Sequence, residues 1–299
     1  MDWLKGRVPA GARCLFRLIL ILILASSVHA GERRISFKLT GGVSRSSLGD
    51  VNSYLDGYSR FAIDDLRDAG YVQDKALETY HFGQDVQLEA MVPVANRFSL
   101  CLGVGWIQIH KRQNGLSQQS SFGILTSTLD HAVRAVPLTA ALDWSWPIAP
   151  KWNLHVEAGA GLYSVKFHET GESQFTYKTG GFGYTKTWEA KADASRLGLF
   201  AGIGLETELS RHLSLIVEGA FRRARIAGFS GQTVSRFNNY ESEQPFDLFY
   251  YEFYSGRSQQ AYPALSLPDA ERGYPLNVFR EGAIDLSGWA LKAGLRISL

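Results

Sequence analysis

The chain has 299 residues, 45% of them hydrophobic and 12% aromatic, with 30 glycines and a formal net charge of +2 from 31 bases and 29 acids. So balanced a charge leaves no electrostatic footprint for a nucleic acid. The mean hydropathy of −0.11 resembles that of a soluble protein, but strands that alternate apolar and polar side chains across a membrane give the same value, because their two faces cancel within any window.

The first thirty residues stand apart. Lys5, Arg7, Arg13 and Arg17 precede an unbroken apolar run from Leu18 to Leu24 and then Ala25 to Ala30, of which Val28, His29 and Ala30 form a small-residue cleavage site before Gly31. That is the layout of a secretory signal peptide over 1–30, and its run falls short of the ~20 residues that a retained spanning anchor needs. Its removal takes four bases and one acid, leaving 27 against 28 in the expected mature domain, residues 31–299. Cys14 leaves with it, so Cys101 has no intramolecular disulfide partner.

A period-two pattern then recurs eight times. The first stretch sets Phe37, Leu39 and Val43 against Lys38, Thr40 and Ser44; the second sets Tyr80, Phe82, Val86, Leu88 and Ala90 against Asp85, Gln87 and Glu89. The third has Phe98, Leu100, Leu102, Val104 and Trp106 opposite Ser99, Cys101, Gly103 and Gly105, and the fourth has Leu138, Ala140, Leu142, Trp144 and Trp146 opposite Thr139, Asp143 and Ser145. Trp152, Leu154, Val156, Ala158, Ala160 and Leu162 face away from Asn153, His155, Glu157, Gly159 and Gly161 in the fifth. The sixth opposes Leu197, Leu199, Ala201, Ile203 and Leu205 to Gly198, Phe200, Gly202, Gly204 and Glu206; the seventh opposes Leu213, Leu215, Val217 and Phe221 to Ser214, Glu218 and Arg222. In the eighth, WALKAGLRISL, the apolar parity runs from Trp289 to Leu299 and the polar one carries Lys292 and Arg296.

Connections alternate in length. Those at 93–97, 147–151 and about 210–211 are tight, whereas 45–79, 111–129, 168–194 and 226–285 are long. Short turns on one side, long loops on the other and strands of crossing length are the plan of an outer-membrane barrel with periplasmic turns, extracellular loops and both termini in the periplasm. The expectation is an all-β fold, an up-and-down antiparallel transmembrane β-barrel of eight strands, or ten if 226–285 holds another hairpin. A final strand that pairs with the first leaves no open edge in lipid.

This pattern resembles the small bacterial outer-membrane β-barrels of the OmpA transmembrane-domain and OmpX type. The resemblance covers 31–299, and its most specific element is the last strand, Trp289 to Leu299, which looks like the signal read by the barrel-assembly machinery, with Leu299 where Phe is commonest. No peptidoglycan-binding domain is expected. Outer-membrane lipid and lipopolysaccharide are the expected surroundings of the wall.

Side chains of the inward parity collect Lys38, Asp85, Glu89, Asp143, Glu157, Glu206, Glu218, Arg222, Lys292 and Arg296. An eight-stranded barrel is just wide enough for side chains to fill it, so these are expected to form a paired, charged plug, because pairing is the ordinary way to bury charge in a narrow lumen. Gly103-Val104-Gly105, Gly159-Ala160-Gly161 and Gly202-Ile203-Gly204 look like halves of a dinucleotide fingerprint, but no helix follows where one is required. Outward aromatics fall at two levels, Phe98, Trp144, Trp146 and Trp152 near the turns and Phe82, Trp106, Phe221 and Trp289 toward the loops, as interfacial girdles do.

In the first long loop Val51, Tyr54, Leu55, Tyr58, Ala62, Leu66 and Ala69 recur at helical spacing, which predicts a short amphipathic helix lying against the barrel mouth. In the fourth, Phe246, Phe249, Tyr250, Tyr251, Phe253 and Tyr254 crowd together, either as an exposed interaction surface or as rings packed within a strand extension or hairpin. His81 and His131 lie near strand ends beside serine-rich stretches, but no spacing singles out a nucleophile, and His155 beside Glu157 reads as a lumen hydrogen-bonding partner. No Cys or His cluster has metal-ligand spacing, and no cofactor is expected. The functional expectation is a non-enzymatic protein with a structural or surface-interaction role; a narrow pore and a lipid-A-modifying barrel enzyme are the alternatives.

Overall fold

The computed structural model describes residues 35–68, 72–73, 77–180, 183–238, 240–255, 260–266 and 276–299. The expected signal peptide and Ala69 lie outside the described residues, as do the side chains of Ala62, Leu66, Phe246 and Phe253. In chain order come β1 (Ser36–Ser46), α1 (Asp50–Asp68), β2 (Val72–Gln73), β3 (Phe82–Ala95), β4 (Phe98–Gln119), β5 (Gly123–Ala149), β6 (Trp152–Tyr177), β7 (Tyr184–Ser210) and β8 (Leu213–Arg223). Seven short strands follow: β9 (Arg225–Ala227), β10 (Ser230–Phe237), β11 (Tyr240–Asp247), β12 (Phe249–Tyr254), β13 (Ala261–Ser266), β14 (Leu276–Glu281) and β15 (Ala283–Asp285). The last element is β16 (Gly288–Ser298).

Eight strands close a ring by antiparallel pairing in the cyclic order β1, β3, β4, β5, β6, β7, β8, β16. Closure leaves none of these strands with an unpaired edge through the spanning part, the only way a sheet can stand in hydrocarbon. At one end the strands join through turns of about two residues. Arg97 and Lys151 take left-handed φ values of 67° and 68° there, and the turn carbonyls of Arg97, Lys151 and His212 accept from the N–H groups of Ser145, Glu208 and Ser298 on the next strand at 2.9, 2.9 and 3.0 Å.

Two of the four expected long loops are corrected. Strand β4 runs to Gln119 and β5 starts at Gly123; β6 runs to Tyr177 and β7 starts at Tyr184, so 111–129 and 168–194 are mostly strand. The reason is a change of phase. On the turn-side half of β5 the apolar residues Leu138, Leu142, Trp144 and Trp146 point outward, whereas beyond Pro137 the apolar residues Ala135, Val133 and Leu129 are buried and point inward. The neighbours reverse at the same height, with buried Ile107 and Ile109 on β4, Val165 and Phe167 on β6, and Ala190, Ala192 and Ala194 on β7. Outward residues there become polar, as at Arg134, Lys166 and Lys191. The lower half is therefore an inside-out barrel for lipid and the upper half is built like a soluble protein.

The ring has eight strands, not ten. Strand β7 pairs with β8 through 199–210 and with β10 through 186–193, so the β10–β11 hairpin extends the wall above the ring without entering it. Helix α1 fills the upper half: Val51 and Leu55 on one face are fully buried in a core with Ile109, Val133, Phe167, Ile226, Phe229 and Ile284. The chain enters it through Leu48 and Gly49, both left-handed at φ 58° and 52°. Leu48 tolerates this because its N–H donates to the Asp285 carbonyl at 2.7 Å and its side chain is fully buried. A small sheet, β13-β12-β14, covers the helix from outside.

Candidate functional site

The interior has two levels with opposite chemistry. In the lower level, strand alternation brings the ten charged residues of the inward parity into three groups around His155. The Lys38 ammonium on β1 contacts Glu89 of β3 and reaches Glu157 of β6 at 2.9 Å and Glu218 of β8 at 3.1 Å. Lys292 of β16 pairs with Glu218 at 2.7 Å and donates to Gln87 at 2.7 Å, while Gln87 donates to Glu89 at 2.7 Å. One level higher, Arg222 donates to Asp85 at 2.8 Å and to the Leu286 carbonyl at 2.8 Å. Toward the turns, His155 bridges Asp143 at 3.1 Å and Glu206 at 2.5 Å, and Arg296 meets Glu206 at 3.0 Å. Every expected lumen residue thus has an ionic or hydrogen-bonded partner within the lumen.

Inward glycines leave room for these long chains. A Cβ on Gly103 would come within 2.6 Å of the Thr139 hydroxyl and 2.9 Å of the Glu89 Cγ, so a side chain there would displace the network. Met91, Cys101, Ala141 and Phe200 form a small apolar cluster beside it. The space left among Lys38, Glu218, Lys292 and Phe200 is about 50 Å³, room for a few waters.

In the upper level the sequence pattern named His131, Tyr54 and Tyr80 separately but neither Glu169 nor Trp188, and did not bring them together. His131 is fully buried, and its Nε2 lies 2.8 Å from Glu169, which also accepts from the Trp188 indole N–H at 2.9 Å. Tyr54, Tyr80 and Phe167 surround the imidazole with ring centroids 6.0–6.4 Å away. Burial pushes the Glu169 carboxyl up, but His131 beside it and the hydrogen bonds from His131 and Trp188 outweigh burial and hold it below the usual carboxylate range. Above this cluster a cleft of about 280 Å³ is lined by Tyr54, Tyr58, Trp188, Lys186, Ser235 and Leu265.

Helix α1 is held in place at both ends of its described face. Asp50 accepts both guanidinium nitrogens of Arg280 at 2.6 Å and the Ala283 N–H at 2.8 Å. Arg280 in turn lies 4.2 Å over the Tyr250 ring. Asn52 donates to the Ser47 and Tyr80 carbonyls at 2.9 and 2.8 Å and accepts the Tyr80 N–H, and Ser59 exchanges two hydrogen bonds with the Leu77 backbone. Of the loop-four aromatics, Phe246 is on β11 in the wall hairpin, and Phe249, Tyr250, Tyr251, Phe253 and Tyr254 are on β12, the central strand of the small sheet. Tyr250 is buried against Arg280, and Tyr254 is exposed. His81, outside the lumen, hydrogen-bonds Asn52 and the Ser46 carbonyl.

No described helix is long and apolar enough to cross a membrane, and no group of three or more His, Cys, Asp or Glu among the described residues could hold a metal ion. No family model matches the chain, and no curated protein matches it in sequence. Among solved structures it is similar to the outer-membrane protein OprG of Pseudomonas aeruginosa, with 10% identity, 90% of this chain and 98% of that one covered, and a TM-score of 0.37. A major outer-membrane protein of Thermus thermophilus has 14% identity, covers 90% and 100%, and also scores 0.37. The outer-membrane protease OmpT of Escherichia coli has 9% identity, 91% and 100% coverage, and a TM-score of 0.33. At these identities none of them transfers a role to a residue of this chain.

Proposed function

We propose that this chain is a closed outer-membrane barrel, of the small OmpA-transmembrane-domain and OmpX-like kind, whose work is structural or surface-interactive and not catalytic. One observation carries the reading: the interior is blocked twice, by the ion-paired network between Lys38 and Arg296 below and by the α1 core above. A conducting pore needs a continuous wet path, and a second barrier of buried Leu55, Ile109 and Phe167 opposes ions regardless of the first. The signal peptide over 1–30, periplasmic termini and delivery through the β16 strand to the barrel-assembly machinery belong to the same proposal. In it the strand extensions, α1 and the β12 sheet stand outside the cell.

Planar-bilayer recording tests it. The full mature chain is expected to show no conductance steps above the lipid baseline; regular steps that change when Glu218 or Lys292 is substituted would support the narrow-pore reading instead. Lipid A analysed by mass spectrometry from cells with and without the protein is expected to be identical in acyl chains and head groups, and a changed species would mark an enzyme.

A further inference from the structure

The seam where the ring closes carries a row of aromatic and basic side chains on the outside of the wall. Register places Phe82 of β3, Arg45 of β1, Trp289 of β16 and Phe221 of β8 in one outward row. Phe82 and Trp289 meet edge to face at 6.3 Å, and all three rings lie on the outer surface. Two residues past Phe221 along the chain stands Arg223, and two further Arg225; both are exposed, as is Arg45, while Ala224 between them and Ile226 after them are buried in the upper core. Strands are about 4.8 Å apart and rise about 3.4 Å per residue, so with β16 between them and a two-residue offset along β8 the backbones of Arg45 and Arg223 lie roughly 12 Å apart, a distance two extended arginine side chains can close on one small anion.

On the ring strands of the seam the outward charge is one-sided. The outward parity of β1, β3, β8 and β16 bears no acid: it reads Phe37, Leu39, Val43 and Arg45 on β1, for instance, and Trp289, Leu291, Leu295 and Ile297 on β16. Above the ring, Asp285 of β15 stands opposite Arg225 of β9 and accepts the Ser287 N–H at 2.9 Å. The far wall differs. There Arg134, Lys166 and Lys191 are interleaved with Asp193 and Glu189, and Lys191 contacts Glu189 at 2.6 Å. Clustered like charges repel unless an anion joins them, and three planar guanidinium groups suit phosphate oxygens better than a compact ammonium does. Immediately below them the wall is apolar. The anion that sits at that height beside hydrocarbon is a lipid headgroup phosphate.

We propose that Arg45, Arg223 and Arg225 form a binding site for the phosphate groups of an outer-leaflet lipid, whose acyl chains rest on Phe82, Phe221 and Trp289. This rests on the membrane-spanning reading above, with the strand extensions outside. Native mass spectrometry of the full mature chain released from detergent tests it, with diphosphorylated lipid A as the probe and the same lipid stripped of its phosphates as the control. Wild type is expected to retain the phosphorylated lipid about tenfold or more better than the stripped one, and R45Q/R223Q/R225Q to lose that preference, since charge-assisted hydrogen bonds are the stronger kind. Arg134→Gln on the far wall is expected to change nothing. If the triple variant fails to fold, each single Arg→Gln variant is expected to weaken retention by about threefold, since each keeps two of the three guanidinium groups.

Equal retention of the two lipids by wild type, equal retention by wild type and all Arg→Gln variants, or tighter binding of a soluble sulfated oligosaccharide at the same arginines would overturn the proposal. A wild-type band that migrates identically boiled and unboiled on a detergent gel would instead count against the barrel reading itself, so the two failures are distinguishable.

Discussion

Lys38 is the residue on which the lumen network turns. Its ammonium faces carboxylates from three strands, Glu89, Glu157 and Glu218, and among the described residues Lys292 alone shares the work of neutralising them, through Glu218. Removing one partner from a buried ionic group costs about 3–5 kcal/mol, because the remaining charges keep their desolvation cost without their counterion. Lys38→Met is therefore expected to lower the unfolding free energy by that amount in urea titrations from lipid vesicles, with Glu89→Gln added on top returning part of the loss. A change within the surface-pair range of about 0–1 kcal/mol would contradict the network. Glu169 makes a different prediction. Its folded-state value is depressed, so its contribution is complete above the unfolded carboxylate value of about 4.3 and is lost as pH falls through the lower folded value. Hydrogen-exchange protection at Phe167 and Trp188 is expected to be equal at pH 7 and pH 5 and to fall only below about pH 4; loss between pH 7 and pH 5 would show that another group controls the mouth.

At the scale of elements, the reversal of facing along β4 to β7 explains both what could be read from the chain and what could not. Helix α1 was legible because Val51, Tyr54, Leu55 and Tyr58 keep one helical period against a uniformly apolar surface. The lumen residues were legible because the lower halves of the strands keep one parity throughout. The strand extensions were not, since a period-two scan ends a strand where its apolar parity changes, between Ala135 and Leu138 on β5 for example. That same misassignment hid Glu169 and Trp188, and left His131 read only as a strand-end residue; all three lie on the parity counted as inward and polar lower down. It hid the β10–β11 hairpin as well, whose partner is the upper half of β7. The reversal also sets mutational signs. Leu88, outward in the lower half at 47% exposure, is expected to cost about 2–4 kcal/mol as Leu88→Arg, whereas Lys166→Leu above the band, which removes a surface contact, is expected to stay within about 1 kcal/mol. Equal costs at both positions, measured by the same vesicle titration, would deny that one faces hydrocarbon and the other water.

For the whole molecule, an eight-stranded ring and the strand extensions above it serve two environments in series. The lower half has lipid outside and ion pairs inside; the upper half has water outside and a core closed by α1 and the β12 sheet inside. Both halves are needed for a sealed barrel that also carries a rigid surface structure. The most direct measurement is site-directed spin labelling in bilayers, with Cys101 replaced by Ser and single labels at Leu88, Leu142, Leu205 and Val217 in the lower band and at Arg134, Lys166 and Thr170 above it. Oxygen, which concentrates in hydrocarbon, is expected to relax the first set and a water-soluble nickel chelate the second. Relaxation of the Leu142 and Val217 labels by the chelate would contradict the account.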